Sequence, residues 1–303
     1  MTSIVFPGQG SQTQGMAKDF YDNFKISKLL FEEIEDYSEI QIRKIIFEND
    51  EDKLNLTKYS QICIFACSYV IFNTYIINKN MDFENINVMM GHSLGEYTAL
   101  ACSKKISLKE CCLILKTRGD LMNSAVTPNE TGMAALIGKD CNYINKIIKE
   151  NELNLEIAND NSPIQIVISG TKKEIAKNKD LFLRNNIKKF VELNVSAAFH
   201  SKFMNQAQES LSKEIEKLNF FENKINIISN YDAGIYSHTE KIKKNLQNQM
   251  ANKVNWTSSI KKLEEIGEKH ILEIGPNKVL SGLINRISKN FVINSINKIS
   301  DLE

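Results

Sequence analysis

The pattern around Ser93 restricts the possible folds more than any other feature of the sequence. An apolar run at residues 86–90 predicts a buried strand, and residues 96–102 have the composition of a helix. Between these two segments, Ser93 is flanked by Gly91 and Gly95. A serine between two glycines at a strand-to-helix turn is typical of a nucleophile elbow, which exposes the hydroxyl beside the unpaired N–H groups of a helix N-terminus. The pattern therefore predicts an α/β fold with a nucleophilic serine.

A serine hydroxyl needs a base to become a strong nucleophile, so the histidines are the next candidates. The chain contains His92, His200, His238 and His270. His200 follows small residues at the end of a strand-like stretch, and catalytic side chains lie at the carboxyl ends of strands in open α/β sheets. We expect His92, inside the elbow, to point away from Ser93, and His238 and His270 to be structural. His200 is therefore the predicted base.

Residues 132–195 have an alternation of elements that differs from the rest of the chain. This segment predicts strands at 133–137, 155–158, 164–168 and 190–193, helices at 142–150 and 172–184, and a turn at 161–163. The β-α-β-β-α-β order is typical of a ferredoxin-like unit, whereas the remainder alternates strands and helices as doubly wound α/β folds do. We therefore predict an α/β protein with a large, discontinuous, hydrolase-like domain that contains a parallel sheet (residues 1–126 and 197–303). A ferredoxin-like subdomain (residues 127–196) is inserted in it, and the active site is expected in the cleft between the two.

The composition excludes several other classes of protein. The 38 basic and 37 acidic residues nearly cancel, so no strong field favours nucleic acid. The apolar segment 62–72 is bracketed by Gln61 and Asn73 and is too short to cross a membrane, so a core helix is predicted there. The six cysteines form no CxxC pair and have no histidine at zinc-ligand spacing, which predicts buried free thiols and no metal site. Because a strand is predicted directly at residues 3–6, we expect no signal peptide. Free thiols fit a reducing cytosol, so we expect a cytoplasmic location, and we expect a monomer.

Seven short motifs follow one another along nearly the whole chain. They are FPGQGSQ at 6–12, GHSLGEY at 91–97, RGDLM at 118–122, NSP at 161–163, AFHS at 198–201, VNW at 254–256 and EIGPNKVL at 273–280. Together they resemble the malonyl-CoA:acyl carrier protein transacylases and the related discrete acyltransferases of polyketide synthesis. The resemblance implies transfer of a malonyl group from malonyl-CoA to the phosphopantetheine thiol of acyl carrier protein through a malonyl-serine. It implies no bound cofactor or metal, and it agrees with an inserted ferredoxin-like subdomain.

The resemblance also implies roles for single residues in the chemical step. Ser93 would be the nucleophile and His200 its base. A main-chain carbonyl near Gln249, rather than a carboxylate, would orient the histidine. The backbone N–H groups of Gln9 and Leu94 would form an oxyanion hole for the tetrahedral intermediate.

A second set of residues is implied in substrate recognition. Arg118 would hold the free carboxylate of the malonyl group, because a guanidinium fork matches a carboxylate bidentately. The ring of Phe199 would fill the space that a methyl branch on the malonyl group needs. Further substrate contacts are expected from Gln61, Met122 and Asn161.

Three other functions are compatible with parts of this pattern. A discrete polyketide acyltransferase would share every motif. A serine esterase or thioesterase would share the elbow, but such hydrolases orient the histidine with a carboxylate, and no Asp or Glu is placed to do so. A carrier-binding module without activity would have no reason to keep Ser93, His200, Arg118 and Gln9 together. We therefore favour a transacylase of fatty-acid synthesis.

Overall fold

The computed structural model describes residues 2–125 and 130–302. Within these residues ten strands are found: β1 Thr2–Phe6, β2 Ile86–Gly91, β3 Thr131–Ile137, β4 Leu155–Ser162, β5 Gln165–Thr171, β6 Lys189–Glu192, β7 Asn226–Ile228, β8 Ile235–Tyr236, β9 His270–Ile274 and β10 Val292–Ile296. The α-helices of the same part are α1 Lys18–Asn23, α2 Lys25–Ser38, α3 Ile42–Glu48, α4 Thr57–Asn78, α5 Leu94–Cys102, α6 Leu108–Ser124, α7 Cys141–Glu150, α8 Lys172–Arg184, α9 Asn205–Glu216, α10 Thr239–Gln247, α11 Trp256–Glu265 and α12 Val279–Ile287. Short 3₁₀ helices cover Asp50–Asn55, Phe83–Asn85, Lys202–Met204 and Ile299–Leu302.

The larger sheet determines where the loops of the site meet. Its strands lie in the order β10-β9-β1-β2-β7-β8, with β8 antiparallel to β7 and all other neighbours parallel. The central strands β1 and β2 are almost entirely buried. They end side by side, with Phe6 opposite Gly91. The loop after β1 and the elbow after β2 therefore leave the sheet at the same edge.

The smaller sheet is built by the segment that interrupts this pattern. It is antiparallel throughout, in the order β4-β5-β3-β6. Helices α7 and α8 contribute apolar side chains such as Ile144, Ile147 and Phe182 to its core. The predicted fold class, an α/β protein with a mostly parallel sheet and a β-α-β-β-α-β insertion, is confirmed. The limits of the two domains remain a prediction, and the predicted boundary at residues 126 and 127 lies outside the described residues.

Strand β4 is longer than the apolar pattern predicts. It continues to Ser162 and pairs there with Gln165, so the chain turns at 163–164 instead of 161–163. Register shifts interrupt its pairing with β5, and its polar end bonds to the large domain as well. The Asp160 N–H donates to the Val254 carbonyl at 3.0 Å, and the Asp160 carboxylate accepts from the Thr257 hydroxyl at 2.6 Å. These contacts join the two parts of the protein beside the site.

Helix α4 contains the apolar segment considered as a membrane span. By length and composition α4 could cross a membrane, but 72% of its most apolar 18-residue window is buried inside the protein. It packs against α2, α5 and α6. The prediction of a core helix is confirmed.

Candidate active site

The elbow holds Ser93 in a backbone conformation that L-residues rarely adopt. Ser93 lies between β2 and α5 with φ 52° and ψ −105°, a strained combination that the surrounding structure must enforce. A Cβ at Gly91 would lie 2.2 Å from the backbone of Gly95, and a Cβ at Gly95 would lie 2.1 Å from the Phe6 carbonyl oxygen. Both glycines are therefore required for the close approach of helix and strand. The Ser93 N–H donates to Oδ1 of Asn230 at 2.6 Å, which fixes the turn.

The imidazole of His200 contacts the serine directly. Its Nε2 lies 2.8 Å from Ser93 Oγ. Its Nδ1 lies 3.1 Å from the carbonyl oxygen of Gln249 and 3.0 Å from that of Asn252. Because a carbonyl only accepts, Nδ1 carries the proton, and Nε2 is left to accept from the serine hydroxyl. Main-chain oxygens thus set the tautomer that a general base requires, and no carboxylate contacts this ring within the described residues.

His200 is carried by a different element from the one that the sequence predicts. It does not follow a parallel strand of the large sheet, because the preceding strand β6 is an edge strand of the small antiparallel sheet. A loop carries it instead, with φ 54° at His200 itself. This loop is tied to the small sheet where the Ala198 N–H donates to the Thr131 hydroxyl at 3.1 Å and the Ser169 hydroxyl donates to the Phe199 carbonyl at 2.6 Å. The loop that follows the small sheet therefore brings the base to the nucleophile of the elbow.

A buried guanidinium lies on the other side of the serine. Arg118 is 1% exposed, and its Nη2 donates to Ser93 Oγ at 3.0 Å and to Gln249 Oε1 at 3.1 Å. Its Nη1 donates to Gln61 Oε1, and its plane lies over the ring of Tyr97. Among the described residues no carboxylate forms an ion pair with Arg118. The charge of the buried Glu96 carboxylate acts on Arg118 without touching it, so the guanidinium has room for direct contact with an anionic group.

A cavity of about 230 Å³ opens at the serine. Of the predicted site residues, the cavity is lined by Gln9, Ser93, Met122, Phe199 and His200. The lining does not include the other predicted residues, which are Leu94, Arg118, Gln61, Gln249 and Asn161.

Two of the predicted residues that do not line the cavity, Gln61 and Asn161, contact residues that do. The Gln61 amide donates to the Met122 sulfur at 3.2 Å. Asn161 Oδ1 lies 2.8 Å from His92 Nε2, so the His92 ring is engaged away from Ser93.

The loop after β1 packs tightly on the elbow. A Cβ at Gly8 would lie 2.3 Å from the His92 carbonyl oxygen, so only glycine allows this approach. The next residue, Gln9, is anchored by its side chain, which donates to the Thr57 hydroxyl at 3.1 Å. No acceptor within the described parts of the chain takes the backbone N–H of Gln9 or Leu94. Their role as an oxyanion hole remains a prediction that this arrangement supports.

The chain matches a known protein family over nearly its whole length. The sequence profile of the family described as the acyl transferase domain matches residues 4–296. The chain belongs to this acyl transferase family. The malonyl CoA-acyl carrier protein transacylase of Bacillus subtilis (strain 168) is 35% identical over 292 residues, 95% of this chain and 90% of the relative. The polyketide biosynthesis malonyl CoA-acyl carrier protein transacylase PksC of the same strain is 38% identical over 293 residues, 96% of this chain and 98% of the relative.

Solved structures of similar enzymes also match this chain over nearly its whole length. A malonyl-transacylase in complex with its type II polyketide synthase acyl carrier protein matches with a TM-score of 0.94 and 32% identity, covering 99% of this chain and 97% of that one. An acyl carrier protein S-malonyltransferase from Vibrio cholerae matches with a TM-score of 0.93 and 31% identity, covering 99% and 98%. The protein is therefore an acyltransferase with the fold of these enzymes.

Several residues of this acyltransferase site were not predicted from the sequence. Asn230, which supports the elbow, is 137 positions away from Ser93 in the chain and belongs to no motif. Asn252 contributes a carbonyl, which any residue could supply. Glu96 follows the elbow directly, and its buried carboxylate accepts from the Gln249 amide at 2.7 Å. Glu96 belongs to the GHSLGEY motif at 91–97, but the sequence analysis gave it no role.

Burial dominates the electrostatics of the site. Burial, followed by the charge of Arg118 and the nearby His92, lowers the pKa of His200 to about 3. Burial lowers the pKa of Arg118 and raises the pKa of Glu96 to about 7. His200 is thus neutral in the free enzyme at ordinary pH, which is the form that accepts a proton.

The low pKa of His200 predicts an unusual pH dependence for acylation of Ser93. For an ordinary histidine with a pKa near 6.5, the neutral fraction falls about 30-fold between pH 8 and pH 5. His200, with a pKa of about 3, stays neutral over this range. We expect the single-turnover rate with acetyl-CoA, followed by mass spectrometry, to change by less than about twofold from pH 8 to pH 5. A tenfold fall with a midpoint near pH 6.5 would show that His200 titrates normally.

Proposed function

We propose that this acyltransferase moves the malonyl group from malonyl-CoA to the phosphopantetheine thiol of acyl carrier protein, supplying units for fatty-acid synthesis in the cytoplasm. The observation that carries the proposal is the surroundings of Ser93 Oγ. His200 Nε2 lies 2.8 Å from it on one side, and Arg118 Nη2 lies 3.0 Å from it on the other. A nucleophile, a neutral base and a buried cation meet at one atom, which fits an acyl donor that carries a carboxylate.

In the first half-reaction the serine is acylated. His200 Nε2 takes the proton of Ser93 as Oγ attacks the thioester carbonyl of malonyl-CoA. The N–H groups of Gln9 and Leu94 stabilise the tetrahedral oxygen, and each such donor contributes roughly 3–4 kcal/mol in comparable sites. The carbon–sulfur bond then breaks, and the CoA sulfur leaves with the proton held by His200. The product is a malonyl ester on Ser93.

The second half-reaction reverses these steps with a different thiol. The phosphopantetheine thiol of the carrier protein gives its proton to His200 as its sulfur attacks the ester carbonyl. The bond to Ser93 breaks, and the serine oxygen takes the proton back. Because one site serves the donor and then the acceptor through a covalent acyl-serine, we expect ping-pong kinetics. The reaction balances without a bound cofactor or metal.

The remaining residues recognise and position the malonyl group. The Arg118 guanidinium pairs with the malonyl carboxylate, and Gln61 holds the guanidinium from the other side. Met122 and Phe199 form apolar walls of the cavity. Asn161 acts through His92, which it fixes at 2.8 Å, and so shapes the elbow rather than reaching the cavity.

The ring of Phe199 should exclude branched acyl groups. Phe199 is 5% exposed and lines the cavity, so its ring occupies space that a methyl branch on the acyl group would need. We expect methylmalonyl-CoA to have a kcat/KM at least about tenfold below that of malonyl-CoA, and Phe199→Ala to narrow this difference. Phe203→Ala, a neighbouring ring outside the cavity, is the matched control. Equal kcat/KM values for the two thioesters in the wild-type enzyme would refute the role of Phe199.

A hydrolase is the main alternative, and the site does not favour it. The His200 ring faces main-chain carbonyls, whereas serine hydrolases with this elbow use a carboxylate. A discrete polyketide acyltransferase would have the same site chemistry, and the plain transacylase name of the Bacillus subtilis relative leads us to prefer fatty-acid supply.

A transfer assay tests the proposed function. Malonyl-CoA and holo-acyl carrier protein are mixed with the enzyme, and malonyl-carrier protein and free malonate are measured by mass spectrometry. We expect transfer to exceed hydrolysis, with parallel double-reciprocal lines. The apo-carrier protein, which lacks the phosphopantetheine thiol, is the control. Malonate release that is as fast without the carrier as with it would make the enzyme a hydrolase.

A further inference from the structure

The carboxylate of Glu96 is buried beside the site and has no part in the mechanism above. It is 1% exposed, in the first turn of α5. Its Oε2 accepts from the Gln249 amide nitrogen at 2.7 Å and from the Asn230 N–H at 3.1 Å. Its Oε1 has no partner within the described residues. Burying a carboxylate with so few hydrogen-bond partners costs free energy of folding. A role in the site would account for its presence.

The amide of Gln249 connects Glu96 to the reacting groups. Its nitrogen donates to the Ser93 carbonyl at 2.9 Å as well as to Glu96, and its oxygen accepts from Arg118 Nη2 at 3.1 Å. An amide turned by 180° would put its nitrogen against the guanidinium and its oxygen against two acceptors. The two acceptors therefore fix the orientation that Arg118 needs.

Within the described residues, Glu96 is the only side chain besides Arg118 that bonds to the Gln249 amide. Of the side-chain contacts of Gln249 within the described residues, one is to Ser93 and one to Arg118. The third is to Glu96, which α5 holds rigidly in place. Asn230, by contrast, keeps independent contacts, because its side chain also donates to the Gly91 carbonyl at 2.7 Å. Loss of Glu96 should thus disturb Arg118 more than the elbow.

We propose that Glu96 is a positioning residue for donor selection: it holds the Gln249 amide with its oxygen towards Arg118, and thereby keeps the guanidinium at the serine for a carboxylate-bearing acyl group. This inference deepens the proposed function and rests on it. It predicts that the reach of the side chain at position 96 matters more than its charge. Glutamine there keeps an oxygen at the place of Oε2, whereas aspartate keeps the charge but is one methylene too short.

The test compares Glu96→Asp and Glu96→Gln, with Glu273→Asp as the matched control. Glu273 is also a fully buried carboxylate, but it accepts from the N–H groups of Leu280 and Ser281 at 2.8 and 2.7 Å and contacts none of the site residues. The readout is the ratio of kcat/KM for malonyl-CoA to that for acetyl-CoA, measured at pH 8. We expect Glu96→Asp to lower this ratio at least about tenfold, the loss typical of one buried polar contact. Glu96→Gln should stay within about threefold of wild type, and Glu273→Asp should leave the ratio unchanged.

Several outcomes would overturn the inference. An equal fall of both thioesters in Glu96→Asp would make Glu96 structural, and a tenfold fall of the ratio in Glu96→Gln would make its charge the decisive property. Should Glu96→Asp fail to fold, Gln249→Met tests the same contact from its other end, because it removes the amide and keeps the main-chain carbonyl. An unchanged ratio in Gln249→Met would also contradict the inference. A wild-type enzyme without preference for malonyl-CoA would instead contradict the proposed function, so the two failures are distinguishable.

Discussion

Replacing His200 by alanine is expected to slow acylation of Ser93 by roughly 10³-fold or more, because the hydroxyl then has no base to take its proton. Within the described residues His200 Nε2 is the only base in contact with Ser93 Oγ, at 2.8 Å. The residual rate should come from the oxyanion hole and from substrate binding. The measurement is single-turnover formation of the acyl-enzyme from malonyl-CoA, with thermal unfolding as the test of folding.

Because the backbone at His200 has a positive φ, a second variant and a control are needed. Its φ of 54° is unfavourable for alanine but tolerated by asparagine, so His200→Asn separates loss of the base from loss of the loop conformation. His238→Ala, which changes an exposed histidine far from the cavity, should behave as wild type. A near-normal acylation rate in His200→Asn would mean that another group is the base, and His92 would be examined next.

Replacing Arg118 by alanine is expected to remove the preference for malonyl-CoA. A malonyl carboxylate buried beside Ser93 would lose its partner, and removing one member of a buried charge pair typically costs about 2–5 kcal/mol. This corresponds to a fall of roughly 30-fold to several thousand-fold in kcat/KM for malonyl-CoA. Acetyl-CoA has no carboxylate and should lose little or gain. The two thioesters are compared in steady-state transfer to holo-acyl carrier protein.

Two further variants define what Arg118 contributes. Arg118→Lys keeps the charge but loses the planar fork, so it should recover only part of the preference. Arg43→Ala removes an arginine that pairs with Glu35 at 2.6 Å, away from the site, and should leave the ratio unchanged. If both thioesters fell by the same factor in Arg118→Ala, Arg118 would be structural, and the partner of the carboxylate would lie elsewhere.

The sequence predicted best those features that are encoded locally. The elbow could be predicted because the glycine spacing and the strand-to-helix change all lie within residues 86–102. The small sheet could be predicted because its strands contain short apolar runs and two well-marked helices separate them. Strand β4 was predicted too short, because its last residues are polar and satisfy their hydrogen bonds against Val254 and Thr257 of the large domain. No local pattern carries that information.

The site depends on contacts that no single segment encodes. His200 contacts Ser93, but a loop after the small antiparallel sheet carries it, and not the end of a parallel strand as the sequence suggested; its role as the base remains a prediction. The carbonyls that orient its ring come from Gln249 and Asn252, some fifty positions further along. Asn230, which fixes the elbow, shares no motif with Ser93. The resemblance to a family supplied the role of the Gln249 carbonyl, and periodicity alone would not have found it.

The central claim is that Ser93 carries the malonyl group, and intact-protein mass spectrometry tests it most directly. The enzyme is incubated with malonyl-CoA, quenched within one turnover and digested to locate the adduct. We predict one malonyl group on the peptide that contains Ser93, its loss in Ser93→Ala, and its retention in Ser196→Ala, a control serine beside the cavity. The adduct should disappear when holo-acyl carrier protein is added to the wild-type enzyme. A malonyl adduct that persists on another residue in Ser93→Ala and passes to the carrier protein would contradict the account.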